Sequence, residues 1–176
     1  GEPTTTVYKY VVDVTFTAVD DALDAVGLTA ESSTNPYDLG YSRQKLLTTA
    51  SVLAMGTPVV VLDEPTTGLD VRGMRRVADI VGRLAGEGRT VVAVSHDMGF
   101  VAEHFGRVIV MRDGRILLDD TPGIVFGAAS WPMLASTFLE PPYPARVGER
   151  LMLGTTPTDG SVVAALAGRG APGGSQ

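Results

Sequence analysis

Cysteine is absent from the 176 residues and histidine occurs twice. Without a thiol there is no disulfide framework, cysteine zinc site or thiol nucleophile, and a reducing compartment is compatible. His96 and His104 are the whole supply of imidazole chemistry. Basic charge is also scarce, with 14 Lys+Arg against 20 Asp+Glu and a net charge of −6. A protein that grips nucleic acid needs a basic surface, so nucleic acid is not an expected partner. No apolar run approaches the ~20 residues that cross a bilayer, and the N-terminus lacks the basic start and apolar stretch of a secretory signal. What is present suffices for a core: 44% of the residues are hydrophobic and only 19% charged, which excludes a wholly disordered chain. The length suits one domain of roughly 100–200 residues.

Residues 4–16 are rich in Thr, Val and Tyr, and periodicity alone leaves helix and strand both open there. Ala18, Ala22, Leu23, Ala25 and Val26 recur at helical intervals and Gly27 follows as a left-handed cap, which predicts a short helix over 17–26. Residues 29–40 read as a loop, and Leu46, Leu47, Ala50, Leu53 and Ala54 mark one face of the next helix. Val59-Val60-Val61-Leu62 is apolar without alternation, as in a parallel strand buried on both faces. A helix follows, with Val71, Met74, Val77, Ala78, Val81 and Leu84 in phase and Asp70 placed to cap it. A second apolar run over 90–94 ends in Ser95-His96-Asp97. Strand, helix and strand with short joins specify an α/β fold with parallel strands. Residues 97–105 form a further short helix, and Asp113-Gly114 between two apolar runs predicts a hairpin. The segment 168–176 has no apolar face and is expected to be disordered.

Ligands of open parallel sheets sit beyond the carboxyl ends of the strands. Both apolar runs deliver polar groups to that edge: Asp63 and Glu64 after the first, Ser95 and His96 after the second. Two adjacent carboxylates at a strand end call for solvent, a cation or a proton to accept. The combination suggests a magnesium phosphate site in which Asp63 holds Mg²⁺, Glu64 polarises a water for in-line attack on a γ-phosphate, and His96 senses that phosphate. Plainer roles stay open for each: a turn at Asp63-Glu64-Pro65, a solvated His96, and Asp70 as a helix cap and nothing more.

The segments VVVLDEPTTGLD and TVVAVSHDM closely resemble the C-terminal half of an ABC-type ATPase domain. The resemblance makes Val59 to Asp63 the Walker B strand, Glu64 the catalytic glutamate, Gly68-Leu69-Asp70 the D-loop and His96 the switch histidine. The stretch NPYDLGYSRQKLLTTASVLAM and the pair Pro141-Pro142 look most like the ATPase subunits of energy-coupling factor transporters, which power uptake of vitamins and metal ions. It implies a partial P-loop NTPase fold with a signature helix and a C-terminal β-hairpin. ATP and Mg²⁺ would be bound between two such subunits docked on an integral membrane transporter subunit at the cytoplasmic face of the cell membrane. Nucleotide contacts would come from Leu39, Gly40, Tyr41, Ser42, Asp63 and Asp70, with Asp63 on the metal and Glu64 and His96 catalytic.

Two departures from that pattern stand out. Where the family has Leu-Ser-Gly-Gly-Gln, this chain has Leu39-Gly40-Tyr41-Ser42-Arg43. Ser42 is expected either to supply the displaced hydroxyl to a phosphate or to cap the helix. The motif G-x-x-x-x-G-K-[ST], whose backbone cradles phosphates, is missing: the only lysines, Lys9 and Lys45, do not follow glycine. The resemblance places that motif upstream of Gly1. The expectation is therefore the C-terminal part of an ABC ATPase domain over 1–140, an extension over 141–167 and the tail. It is not expected to hydrolyse ATP by itself, and it should leave an apolar sheet face exposed. A non-catalytic pairing module and an ABC ATPase of DNA maintenance are the alternatives, although no heptad pattern precedes Tyr37 and the charge is acidic. A P-loop GTPase has no counterpart of the Ser-His-Asp element.

Overall fold

A computed structural model describes residues 16–170, so the ambiguous run before Phe16 and the last six residues lie outside the description. The chain divides into two compact units. One comprises the residues up to Leu62 plus Thr66–Val92, and the other Asp63–Pro65 plus the residues from Ala93 on. Two of the cuts fall on the two apolar runs, at the end of the first after Leu62 and inside the second after Val92.

In the first unit, helices α1 (Phe16–Val26), α2 (Tyr41–Ala54) and α3 (Val71–Gly86) pack on one another. Much of the expected phase is buried: Ala22, Leu23 and Val26 from α1, Leu46, Ala50 and Leu53 from α2, and Val77, Val81 and Leu84 from α3; Ile80 joins them, whereas Val71, expected on that face, is 66% exposed. Gly27 leaves α1 at φ 66°, a conformation that costs an L-residue with a side chain about 1 kcal/mol. The loop between α1 and α2 contains two 3₁₀ turns, Thr29–Glu31 and Pro36–Asp38, and the second is capped by Asn35, whose side chain accepts from the Tyr37 amide at 3.0 Å.

Strands β1 (Val59–Asp63) and β2 (Thr90–Val94) pair in parallel. The Thr90 amide donates to the Pro58 carbonyl at 2.9 Å, and the Glu64 amide donates to the Val94 carbonyl at 2.8 Å. Burial on both faces, expected from the apolar run, is not what the strand shows. Val60 and Leu62 are buried, whereas Val59 and Val61 are 52% and 63% exposed. An uninterrupted apolar run cannot reveal which of its two faces finds a cover, because alternation in packing leaves no trace when every residue is a β-former. The exposed face itself matches the expectation of an apolar sheet surface left open.

The second unit is built around β3 (Val108–Arg112) and β4 (Arg115–Asp120), an antiparallel hairpin turning through Asp113 at φ 50° and Gly114 at φ 73°. Positive φ at both central residues is the turn that matches strand twist, as Asp-Gly predicts. Arg107 forks onto Asp119 with two bonds of 2.7 Å, and this hydrogen-bonded guanidinium holds the Asp119 carboxyl below its ordinary range. Val108 and Val110 of the hairpin join a core with Val101 and Ala102 of α4 (Met98–His104), Val125 of α5 (Pro122–Val125), Phe126, Leu134 of α6 (Trp131–Ser136) and Ala145 of α7 (Tyr143–Arg150). Helix α8 (Asp159–Gly170) packs on α7 and takes in the first three residues of the segment expected to be a disordered tail.

Thr156, 2% exposed, donates its hydroxyl to the Pro144 carbonyl at 3.0 Å and lies against Gly148 of α7. A Cβ at position 148 would overlap the Thr156 Oγ1. Alanine is the better helix former by up to about 1 kcal/mol, but overpacking costs about 1–3 kcal/mol. Gly148→Ala is expected to lower stability by about 1–2 kcal/mol net in urea titration, with Gly148→Ala/Thr156→Ser recovering little, because the overlap is with the hydroxyl oxygen itself.

Candidate functional site

Asp63 is the last residue of β1 and its side chain is exposed. Glu64 follows at φ 47°, a left-handed conformation that a non-glycine residue adopts at a cost of about 1 kcal/mol or more. That turn separates the two carboxylates: continued as a strand, they would alternate between faces of the sheet. Glu64 Oε2 lies 2.7 Å from His96 Nδ1, the donor being the ring nitrogen. The His96 side chain is 70% exposed and that of Glu64 35%. His96 sits in the turn between β2 and α4. There Ser95 Oγ accepts from the Asp97 amide at 3.0 Å, and Asp97 caps α4 by accepting from the Phe100 amide at 3.0 Å. These two side-chain bonds shape the backbone on either side of His96. His104, the other imidazole, packs against the Phe100 ring at 4.9 Å and belongs to the helix packing.

The remaining predicted site residues belong to the first unit. Leu39 is buried and precedes Gly40, which is the N-cap of α2 with extended backbone, φ −65° and ψ 156°. Ser42 is therefore the second residue of the helix and does not cap it. Gly40 takes the cap because its backbone adopts the extended conformation that ends the loop, and no side chain supplies a bond there. Tyr41 is 66% exposed and its ring lies on Gly68. Asp70 caps α3, Oδ1 accepting from the Gly73 amide at 2.8 Å. Ser42 and Asp70 line one cavity of about 280 Å³ together with Arg43, Arg72 and Arg76. Arg43 also pairs with Glu31 at 2.5 Å.

The family model described as "AAA domain, putative AbiEii toxin, Type IV TA system" matches residues 24–102, a stretch that includes both strand ends. The energy-coupling factor transporter ATP-binding protein EcfA2 of Symbiobacterium thermophilum is 45% identical over 106 residues, covering 60% of this chain and 37% of that protein. EcfA of Methanocaldococcus jannaschii is 38% identical over 108 residues, covering 61% of this chain and 39% of its own length. The solved structure of cbiO1 from Clostridium perfringens, described as part of the ABC transporter complex cbiONQ, matches with a TM-score of 0.58 and 28% identity, covering 77% of this chain and 53% of that one. Its homologues are ABC transporter ATP-binding proteins. The fold is accordingly the P-loop NTPase fold of ABC ATPase domains. The chain spans between 17% and 39% of the length of the curated relatives it matches.

Within each unit the ABC-type elements fall into groups. Asp63, Glu64 and His96 are brought to one strand edge, and Tyr41, Ser42, Gly68 and Asp70 gather around the start of α2. Sequence reasoning missed Lys45, whose Nζ donates to the Thr67 carbonyl at 2.8 Å. The signal was there in its position four residues after Tyr41, on the same helical face. Asp70 has a structural role that is measurable apart from any chemistry. Asp70→Ala is expected to cost about 1 kcal/mol in urea titration, while Asp70→Asn, which keeps the accepting oxygen, stays within a few tenths.

Proposed function

We propose that the chain is the Walker B to switch-histidine portion of an ABC transporter ATPase subunit, and that Glu64 and His96 act on ATP bound between paired subunits. The bond between Glu64 and His96 is the observation that carries this reading. A carboxylate has more acceptor capacity than one bond uses, so Glu64 can engage a water while it orients the imidazole. With Nδ1 donating to Glu64, Nε2 of His96 is the nitrogen left for the nucleotide, and it donates to a γ-phosphate oxygen when the ring carries its second proton as imidazolium. Glu64 takes the proton from the attacking water as general base, a role typically worth ~10²–10⁴ in rate.

Asp63 fits magnesium by donor chemistry. Asp63, exposed at the end of β1, would hold the cation through one carboxylate. Magnesium is content with that arrangement, whereas calcium or zinc would want more protein ligands. Bound magnesium neutralises charge on the terminal phosphates. Ser42, Gly40 and Tyr41 stand at the α2 terminus where the family's signature meets the nucleotide of the paired subunit. The partners are a second ABC ATPase subunit and an integral membrane subunit. The task is uptake of a small solute such as a vitamin or metal ion, which rests on the resemblance to energy-coupling factor transporter ATPase subunits. The site is then at the cytoplasmic face of the membrane, and no described helix is long and apolar enough to cross it.

A second reading, a non-catalytic pairing half, is favoured by Gly40-Tyr41-Ser42-Arg43 in place of the usual signature. Glu64→Gln separates the two. In the assembled complex it is expected to lower kcat for ATP at least about 100-fold while nucleotide still binds. Unchanged turnover would assign catalysis to the paired subunit alone. The 176 residues contain no G-x-x-x-x-G-K-[ST] motif, so calorimetry of the isolated chain is expected to show no micromolar Mg-ATP binding.

A further inference from the structure

The tyrosine that stands where the family's signature has a glycine is engaged inside the chain. Tyr41 and Lys45 are four residues apart on α2 and share one face. The Tyr41 ring lies over the backbone of Gly68: a Cβ there would overlap ring carbon Cε1 and come 3.2 Å from Cδ1. Gly68 is also at φ 75°, so glycine is required twice, by the backbone and by the ring above it. One turn further along α2, Lys45 donates to the carbonyl of Thr67, the residue before Gly68. Consecutive residues of the loop are thus held by consecutive turns of the helix. The loop continues through Leu69, whose amide donates to the Thr66 carbonyl at 3.2 Å, into Asp70, the cap of α3.

We propose that Tyr41 and Lys45 are positioning residues that clamp the Thr67–Gly68 corner, so that the first turn of α2 and the loop ending at Asp70 move as one piece. The catalytic consequence rests on the proposed function, because that loop and that turn are the parts a paired ATPase subunit would meet. An ammonium on a carbonyl is a charge-assisted bond, and a ring packed on the glycine adds van der Waals contact, so each grip opposes opening of the corner. The changed signature is in this sense a matched pair: Tyr41 needs Gly68, and Gly68 is kept in place by Tyr41.

Amide hydrogen exchange on the full chain tests the clamp without reference to ATP. Tyr41→Ala and Lys45→Met are each expected to speed exchange at Leu69 about tenfold, the factor expected when a grip of about 1.4 kcal/mol is lost. The amides of Val77 and Leu84 should be unchanged, and Tyr41→Phe should exchange like the parent. Equal acceleration at Leu69 and Leu84 would reduce Tyr41 to general packing and overturn the proposal, as would no acceleration at all. In the assembled complex, Tyr41→Ala is expected to lower kcat with KM within about twofold and Tyr41→Phe to restore it. A Tyr41→Ala complex with parental kcat would remove the catalytic consequence and leave the proposed function standing. A parental complex without turnover would end the proposed function while the exchange result still decides the clamp.

Discussion

The backbone bond from the Glu64 amide to the Val94 carbonyl closes the β1–β2 ladder where the chain enters a left-handed conformation. Most of the chemistry depends on that coincidence. A parallel pair has evenly spaced, slanted bonds, so the residue after the last bond on each strand emerges at the same edge. Glu64 leaves β1 there and Ser95-His96 leaves β2 there, and the side-chain bond between Glu64 and His96 follows from the register. Sliding one strand by a residue would send the two side chains to opposite faces. The left-handed backbone at Glu64 is held by its own ladder bond to Val94, while the bonds of Ser95 and Asp97 shape the turn that carries His96.

Polarity at the strand ends was the most legible part of the sequence. Apolar runs that stop in Asp-Glu and Ser-His specify where a parallel pair ends and what stands beyond it, and the cap Asp70 and the Asp113-Gly114 turn appear where their chemistry requires them. The cover of the sheet was not legible. Val59 and Val61 read the same as Val60 and Leu62, and only the folded chain distinguishes the packed face from the exposed one. Of the two roles left open for Ser42, the cap falls away for a related reason. A hydroxyl near a helix start is a capping signal, but the extended backbone of Gly40 had already ended the loop two residues earlier, leaving Ser42 inside the helix.

Lys45 and Tyr41 mark the limit of motif reasoning. A motif assigns roles position by position, so a tyrosine in a glycine position registers only as damage. The structure shows what the substitution does instead: the ring occupies the space above Gly68 that any side chain at that position would need. Neither residue announces this alone. Gly68 belongs to a loop where glycine is already explained by its positive φ, and Tyr41 is largely exposed. The relation is carried by a contact between residues far apart in sequence, which no local pattern encodes.

The same contact bears on how the proposed function could accommodate the departure. A glycine-rich helix start offers bare amides to a phosphate, whereas Tyr41 places a ring beside the first turn of α2. If the ring were unanchored, rotation about its side-chain torsions would sweep the space in front of the Tyr41, Ser42 and Arg43 amides. The ring lies on Gly68, and Ser42, Asp70 and Arg43, the last paired with Glu31, line the neighbouring cavity. On the proposed function, an anchored ring would keep clear of the amides that a bare glycine leaves open.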